Sequence, residues 1–391
     1  MEALKRLIQK IKQYMPQIKR YAPPALVAII LITAFSTCGR GEEPQIEEPE
    51  QTVIEETPTV EPSEEPSPEP SPEPEPDPEP EPEPTGPVNP LTGLPTEEDI
   101  SATRPLAIMI NNASDAMPQL GVSKADIIYE VLVEGGITRM LALYQDVSEV
   151  EVIGSIRSAR TYYVDIAQSY DAVYIFAGGS PGAYRVLSAR DITRLDGVGG
   201  RADIFYRDRQ RMNTMSMEHT MVTTGERIMQ WLPTYGFRLE HEEGYERALN
   251  FSDESDTLEG LEAQDFSVRF SSSKTTSFTY DEDDGLYYLQ QYGRAYSDGN
   301  DATQLSVANI LILRTNVSRI PGDAEGRLDI RTTGSGTGYY VNGGKYIEVL
   351  WSREDESSQF AYTLTDGAEL SLGRGQMYIC IIPNENEVSF E

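Results

Sequence analysis

The chain has 391 residues, enough for two domains, and a formal net charge of −32 from 32 Lys plus Arg against 64 Asp plus Glu. A surface this acidic repels a phosphate backbone, which argues against nucleic acid as a partner unless a local basic patch intervenes. Two cysteines and two histidines exclude a disulfide scaffold, a thiolate cluster and a multi-histidine metal site, and no cofactor is expected.

The charge is uneven, about +6 over residues 1–40, about −17 over 41–84 and about −21 over the remainder. Residues 1–38 combine a basic start (Lys5, Arg6, Lys10, Lys12, Lys19, Arg20) with the apolar run Ala25 to Phe35 and then Ser36-Thr37-Cys38. That order reads as an export signal, and Phe35-Ser36-Thr37-Cys38 resembles a lipobox whose cysteine, Cys38, would carry lipid. Thr37 departs from the Gly or Ala usual there, and an uncleaved anchor over Tyr21 to Cys38 is the alternative. Residues 39–87 are almost entirely Glu, Pro, Ser and Thr. They lack the apolar periodicity needed to offset ordering entropy and are expected to form a disordered, extended stalk on the order of 140 Å long.

From residue 88 to 240 the pattern is α/β. Leu106 to Ile110 reads as the first strand, and the runs Ile127 to Val133, Met140 to Tyr144 and Ala172 to Ala177 read as buried strands. Tyr162 to Tyr170 and Pro181 to Ala189 read as helices, and Thr223 with Glu226 matches a capping box before Ile228 to Leu232. An acidic stretch from about Glu240 to Gln264 marks a boundary. From 265 to 391 the period becomes two, with Asp284-Gly285, Asn342-Gly343 and Asp366-Gly367 as hairpin turns, so a mostly β part follows. The fold class is therefore mixed, α/β and then mostly β, behind a stalk.

Several motifs together carry a family resemblance. NPLTGLP, RPLAIMINN, ADIIYEVLVEGGITRMLALY, GSIRSAR, DAVYIFAGGSP, YRD and EHTMVTT, followed by GSGTGYYVNGGKYIEVLW and GQMYICIIP, resemble the YerB-like bacterial lipoproteins, a two-part family of unknown function. The resemblance spans Asn89 to Pro383. It implies a lipid-anchored surface protein of Gram-positive-type bacteria with no settled activity, which places it on the outer face of the cytoplasmic membrane; a cell-wall component or envelope protein is the expected partner. Its motifs fall on Glu134, Gly135, Gly136 and Arg139, on Arg157, Ser158 and Arg160, on Gly178, Gly179 and Ser180, and on Arg207, Asp208 and His219. Glu218 stands where similar proteins tend to carry Pro, and a carboxylate there is expected to raise the His219 pKa.

These residues support several chemistries. Arg139, Arg157 and Arg160 next to strand ends suit bidentate recognition of an anion, or each pairs with an internal carboxylate such as Glu134, Asp126 or Asp165 and organises the fold. Ser158 or Ser180 with His219 and Asp208 are the parts of a hydrolytic triad without its motif. Glu130 and Glu134 would suit glycosidic acid/base work if about 5 to 9 Å apart across a cleft, while a single buried, Arg-paired Glu130 is the structural alternative. Tyr287, Tyr288, Tyr292, Tyr339, Tyr340, Tyr346 and Trp351 line a groove or simply fill strands. The reading that follows is a non-catalytic binding protein whose site comprises Glu134, Arg139, Arg157, Ser158, Arg160, Ser180 and His219. A cell-wall hydrolase and a structural or assembly factor are the alternatives.

Overall fold

The computed structural model describes residues 86–252 and 258–391. The export signal, Cys38 and all but the last two residues of the stalk lie outside the described residues. No described helix is long and apolar enough to cross a membrane.

The first half carries strands β1 (Leu106–Asn111), β2 (Ile127–Leu132), β3 (Thr138–Tyr144), β4 (Ile153–Gly154), β5 (Val173–Phe176), β6 (Arg194–Asp196), β7 (Tyr206–Arg207) and β8 (Met221–Thr223). Its helices are α1 (Thr161–Ser169), α2 (Pro181–Ala189), α3 (Arg209–Thr214) and α4 (Gly225–Trp231). The second half continues with β9 (Leu261–Glu262), β10 (Asp265–Ser271), β11 (Lys274–Asp281), β12 (Leu286–Gln291), β13 (Arg294–Ala295), β14 (Ser306–Val307) and β15 (Asn309–Thr315). The last strands are β16 (Val317–Arg319), β17 (Leu328–Ile330), β18 (Gly334–Asn342), β19 (Lys345–Arg353), β20 (Ala361–Leu364), β21 (Met377–Pro383) and β22 (Val388–Phe390).

One 11-stranded sheet runs β20-β19-β18-β15-β21-β2-β3-β1-β5-β6, with β9 beside β19. Its join is β21, which pairs in parallel with β2 (Ile127 opposite Met377) and with β15 (Asn309 opposite Met377). Residues 88–240 and 265–391 therefore share one sheet rather than each closing a core of its own. Every residue of β1, β2, β3 and β21 is buried, as strands covered on both faces must be, which is why they read as near-continuous apolar runs broken only by Asn111, Glu130, Thr138 and Arg139. Burying each large apolar side chain contributes roughly 1.5–3 kcal/mol.

Successive residues of β2 show the layers. Tyr129 meets Tyr170 at the end of α1, hydroxyl to hydroxyl at 2.8 Å, whereas Glu130 points the other way, to Lys274 and Thr276 on β11. That strand belongs to the second sheet, β13-β12-β11-β10-β22 with β14 beside β12, whose burial alternates along each long strand. Helices thus cover one face of the long sheet, and a smaller antiparallel sheet covers the other.

Two local expectations are corrected. The cap of α4 is Thr224, whose side chain accepts from the Arg227 amide at 3.1 Å, not Thr223. Thr223 is claimed by the ladder, opposite Ile153, and gives its hydroxyl to the Ile204 carbonyl at 2.9 Å. Glu226 then falls one position short of the capping-box partner. Strand β18 was hidden by its glycines. Those at 336 and 338 leave room for the Trp351 indole and the Ile312 carbonyl, which a Cβ would strike. The two-residue turn after it is Gly343-Gly344, both at positive φ, with Asn342 paired to Lys345.

Candidate functional site

Strands β1, β2 and β5 run in the same direction, because β1 and β2 are each antiparallel to the intervening β3 and β5 is parallel to β1. Their carboxyl ends meet at one edge of the sheet, the usual location of ligand sites in open α/β sheets. Past residue 108 the β1–β5 pairing stops, and residues 155–160 enter the split. The Asn111 amide donates to the Ser155 carbonyl at 2.9 Å, the Arg157 amide to Met109 at 2.9 Å, and Ala177 to the Arg157 carbonyl at 3.0 Å. Farther out, Ala159 donates to the Gly178 carbonyl at 2.9 Å and Ser180 to Ala159 at 3.2 Å. The backbone of this segment thus becomes an extra strand, leaving its Arg and Ser side chains to form the rim.

Two of the three arginines share one acid. Glu134 receives Arg160 Nε at 3.0 Å and a second, shorter bond from Arg160 Nη2, and lies 3.4 Å from Arg139 Nη2. Arg139 also donates to the Ser158 carbonyl at 2.7 Å. Burial pushes the Glu134 carboxyl upward, but the Arg160 hydrogen bond and the Arg139 and Arg160 charges outweigh it and hold the group below its ordinary value. Arg139 falls to about 10 because it is buried, and the neighbouring Arg160 and Arg157 charges add to that. Of the other candidate carboxylates, Asp165 holds Arg190 at 2.7 Å, and Asp126 accepts from the Gln145 amide and the Asn89 side chain. Neither serves the trio.

Arg157 is placed differently. Its only carboxylate among the described residues is Glu218 at 3.4 Å, a side chain more than half exposed, and its buried Nε has no partner there. Beside it, His219 Nδ1 lies 2.7 Å from Asn111 Nδ2. Because Asn111 Oδ1 accepts from Ala113, the amide must present its nitrogen to the ring, so a neutral His219 carries its proton on Nε2. The His219 pKa is lowered, first by burial and then by Arg157, against the opposing pull of Glu218. The expected rise is thus corrected: an exposed carboxylate 3.7 Å from Nε2 does not outweigh burial and a nearby guanidinium.

The remaining candidates separate. Ser180 caps α2, accepting from the Ala183 amide at 3.1 Å, which is a structural role. The Ser158 hydroxyl faces the Gly178 turn, 3.6 Å from where a Cβ on that glycine would stand. Among the described residues the triad is not assembled, since His219 meets Asn111 and Glu218, and Asp208 caps α3 through the Arg211 amide at 2.8 Å.

Glu130 is wholly buried. It accepts from Asn112 (2.9 Å), Thr138 (2.6 Å), Thr276 (2.7 Å) and Tyr378 (2.7 Å), and pairs with Lys274 Nζ at 3.1 Å. It therefore faces no cleft with Glu134, and its partner is a lysine from the second half rather than an arginine. Burial lowers the Lys274 pKa despite the Glu130 charge. Sequence reasoning missed Lys274, although its phase with Thr276 and Phe278 in an alternating strand marks it as inward.

The chain matches two family descriptions, "Protein of unknown function (DUF3048) N-terminal domain" over residues 91–238 and the corresponding C-terminal domain over 266–379. It is 30% identical over 303 residues to the Bacillus subtilis (strain 168) protein named "Putative lipoprotein YerB", covering 77% of this chain and 87% of that one. A crystal structure of the Bacillus subtilis YerB protein superposes with a TM-score of 0.67 at 28% identity, over 77% of this chain and 99% of the other.

Proposed function

From the premise that this chain belongs to the DUF3048 family, we propose that it is a membrane-anchored lipoprotein of the cell envelope that binds an anionic ligand or partner group through Arg157 without catalysis. The name of its Bacillus relative and the Cys38 motif support the anchor. The observation that carries the binding reading is the incomplete pairing of Arg157. Three guanidiniums meet two carboxylates, Glu134 and Glu218, and Arg157 relies on the exposed one. Buried arginines are tolerated when their charge and hydrogen bonds are met, and an incoming carboxylate or phosphate would meet those left over. Arg139 and Arg160, both on Glu134, would shape the site rather than touch the ligand.

Inorganic phosphate and citrate should raise the melting temperature of the wild-type protein and not that of Arg157→Ala, which itself should unfold within about 1 kcal/mol of wild type. A loss of about 3–5 kcal/mol in Arg157→Ala would return the residue to the scaffold.

A further inference from the structure

Next to this site lies a second positive surface that neither the family descriptions nor the relatives' names assign. Tyr206, Arg207, Asp208, Arg209 and Gln210, with Arg227 from α4, line a concavity of about 520 Å³. Its lining is half-buried or exposed, so it is open to solvent. Among the described residues none of its three arginines forms an ion pair with a carboxylate. Arg207 donates to the Met217 carbonyl and the Thr220 hydroxyl, and Arg227 to the Asp203 carbonyl at 2.9 Å while lying 4.8 Å over the Tyr206 ring. Carbonyls and a ring orient a guanidinium without cancelling its charge. The one carboxylate in the lining, Asp208, is engaged in capping α3.

This surface adjoins Arg157. The Ile156 amide donates to the Met221 carbonyl at 2.7 Å, and Arg207 pairs with Met221 on the other side. The backbones carrying Arg157 and Arg207 are thus two strand spacings apart, about 10 Å. Both side chains reach the same turn, Arg207 at the Met217 carbonyl and Arg157 at the Glu218 carboxylate.

We infer that Arg157 and the Arg207–Arg209–Arg227 concavity form one track for a chain-like polyanion bearing repeated phosphate groups. The inference rests on the anion reading of Arg157 and adds the form of the ligand. Two adjoining positive surfaces on a chain of net charge −32 suit a ligand that places charges on both, since the surrounding surface repels it elsewhere. Arg157, Arg207 and Arg227 are half-buried, within reach of a thin polymer but recessed from the flat face of a bilayer, so anionic lipid is the disfavoured source of phosphate.

The test uses the full chain in detergent with long-chain inorganic polyphosphate, inorganic phosphate, and vesicles of phosphatidylglycerol and phosphatidylcholine as probes. Polyphosphate should bind more tightly than phosphate and weaken steeply with added salt. Arg209 is exposed, and among the described residues no side-chain hydrogen bond or ion pair ties it to the fold, so Arg209→Glu should fold normally. It should weaken polyphosphate binding about tenfold, the scale of one charge-assisted contact, and leave thermal protection by phosphate unchanged. Arg227→Gln should also weaken polyphosphate binding. Polyphosphate binding that is absent in wild type, or that both variants leave intact, overturns the track. Vesicle binding lost in Arg209→Glu overturns it in favour of a lipid surface. Phosphate protection that survives Arg157→Ala overturns the anion reading itself, a separate result from either.

Discussion

Two charged clusters lie near the carboxyl end of β2, four residues apart in sequence, and they are finished to different degrees. Around Glu130 the carboxylate is fully buried, with five hydrogen-bond donors, Gln291 among them at 3.4 Å, and a lysine. Around Arg157 three arginines share two acids, and two buried guanidinium nitrogens, Arg139 Nε and Arg157 Nε, have no partner among the described residues. A closed network specifies how strands pair, because leaving any member unpaired is costly. An open one retains capacity for a ligand. The Glu130 cluster has one loose end of its own, Asn112 Oδ1, which also has no partner among the described residues, so the difference lies in the charges: the Glu130 carboxylate is met on all sides, whereas Arg157 relies on an exposed acid, the feature on which the binding proposal rests.

The largest expected effect comes from breaking the Glu130 cluster. Lys274→Met leaves Glu130 charged and buried without its cation, and the urea midpoint should fall by an amount equivalent to about 3–5 kcal/mol. A change near zero would mean that the cluster is not the fastener between the two halves.

Glu134→Gln tests the acid that two of the arginines share. It strands Arg139 and Arg160 together and should cost about 2 kcal/mol at neutral pH. Because the folded Glu134 pKa lies below its ordinary value of 4.5, its contribution is fully present above that value and is lost as pH falls through the folded pKa. The gap between wild type and variant should therefore close in acid, and a gap unchanged down to pH 3 would contradict the assignment.

His219 gives a smaller, pH-dependent effect. Its folded pKa lies below the ordinary 6.5, so the unfolded chain binds the proton first and stability declines as pH drops below 6.5. His219→Gln should flatten that part of the profile, as followed by thermal unfolding across pH 5 to 8. An unaltered slope would place the titration elsewhere.

Arg157→Ala should have the smallest effect on stability, within about 1 kcal/mol, together with loss of the phosphate-dependent shift in melting temperature. That pairing of small stability loss with lost binding is the sharpest contrast with Lys274→Met.

Much of this was legible in the chain itself. The largely apolar runs of β1, β2, β3 and β21, the Ser180-Pro181 start of α2, the Asp284-Gly285 hairpin and the family motifs are local signals, set by side-chain period, capping chemistry and turn glycines. Glu134 was named as one possible partner for the arginines, beside Asp126 and Asp165, but nothing local says that Arg139 and Arg160 would share it. What tertiary structure alone decided is how distant segments meet. The placing of β21 beside β2 across some 250 residues, the claim of the ladder on Thr223, and the choice of Lys274 over an arginine for Glu130 leave no local trace. The identity of a partner across a sheet depends on which strand arrives there, and strand order follows from the packing of the whole core rather than from any one segment.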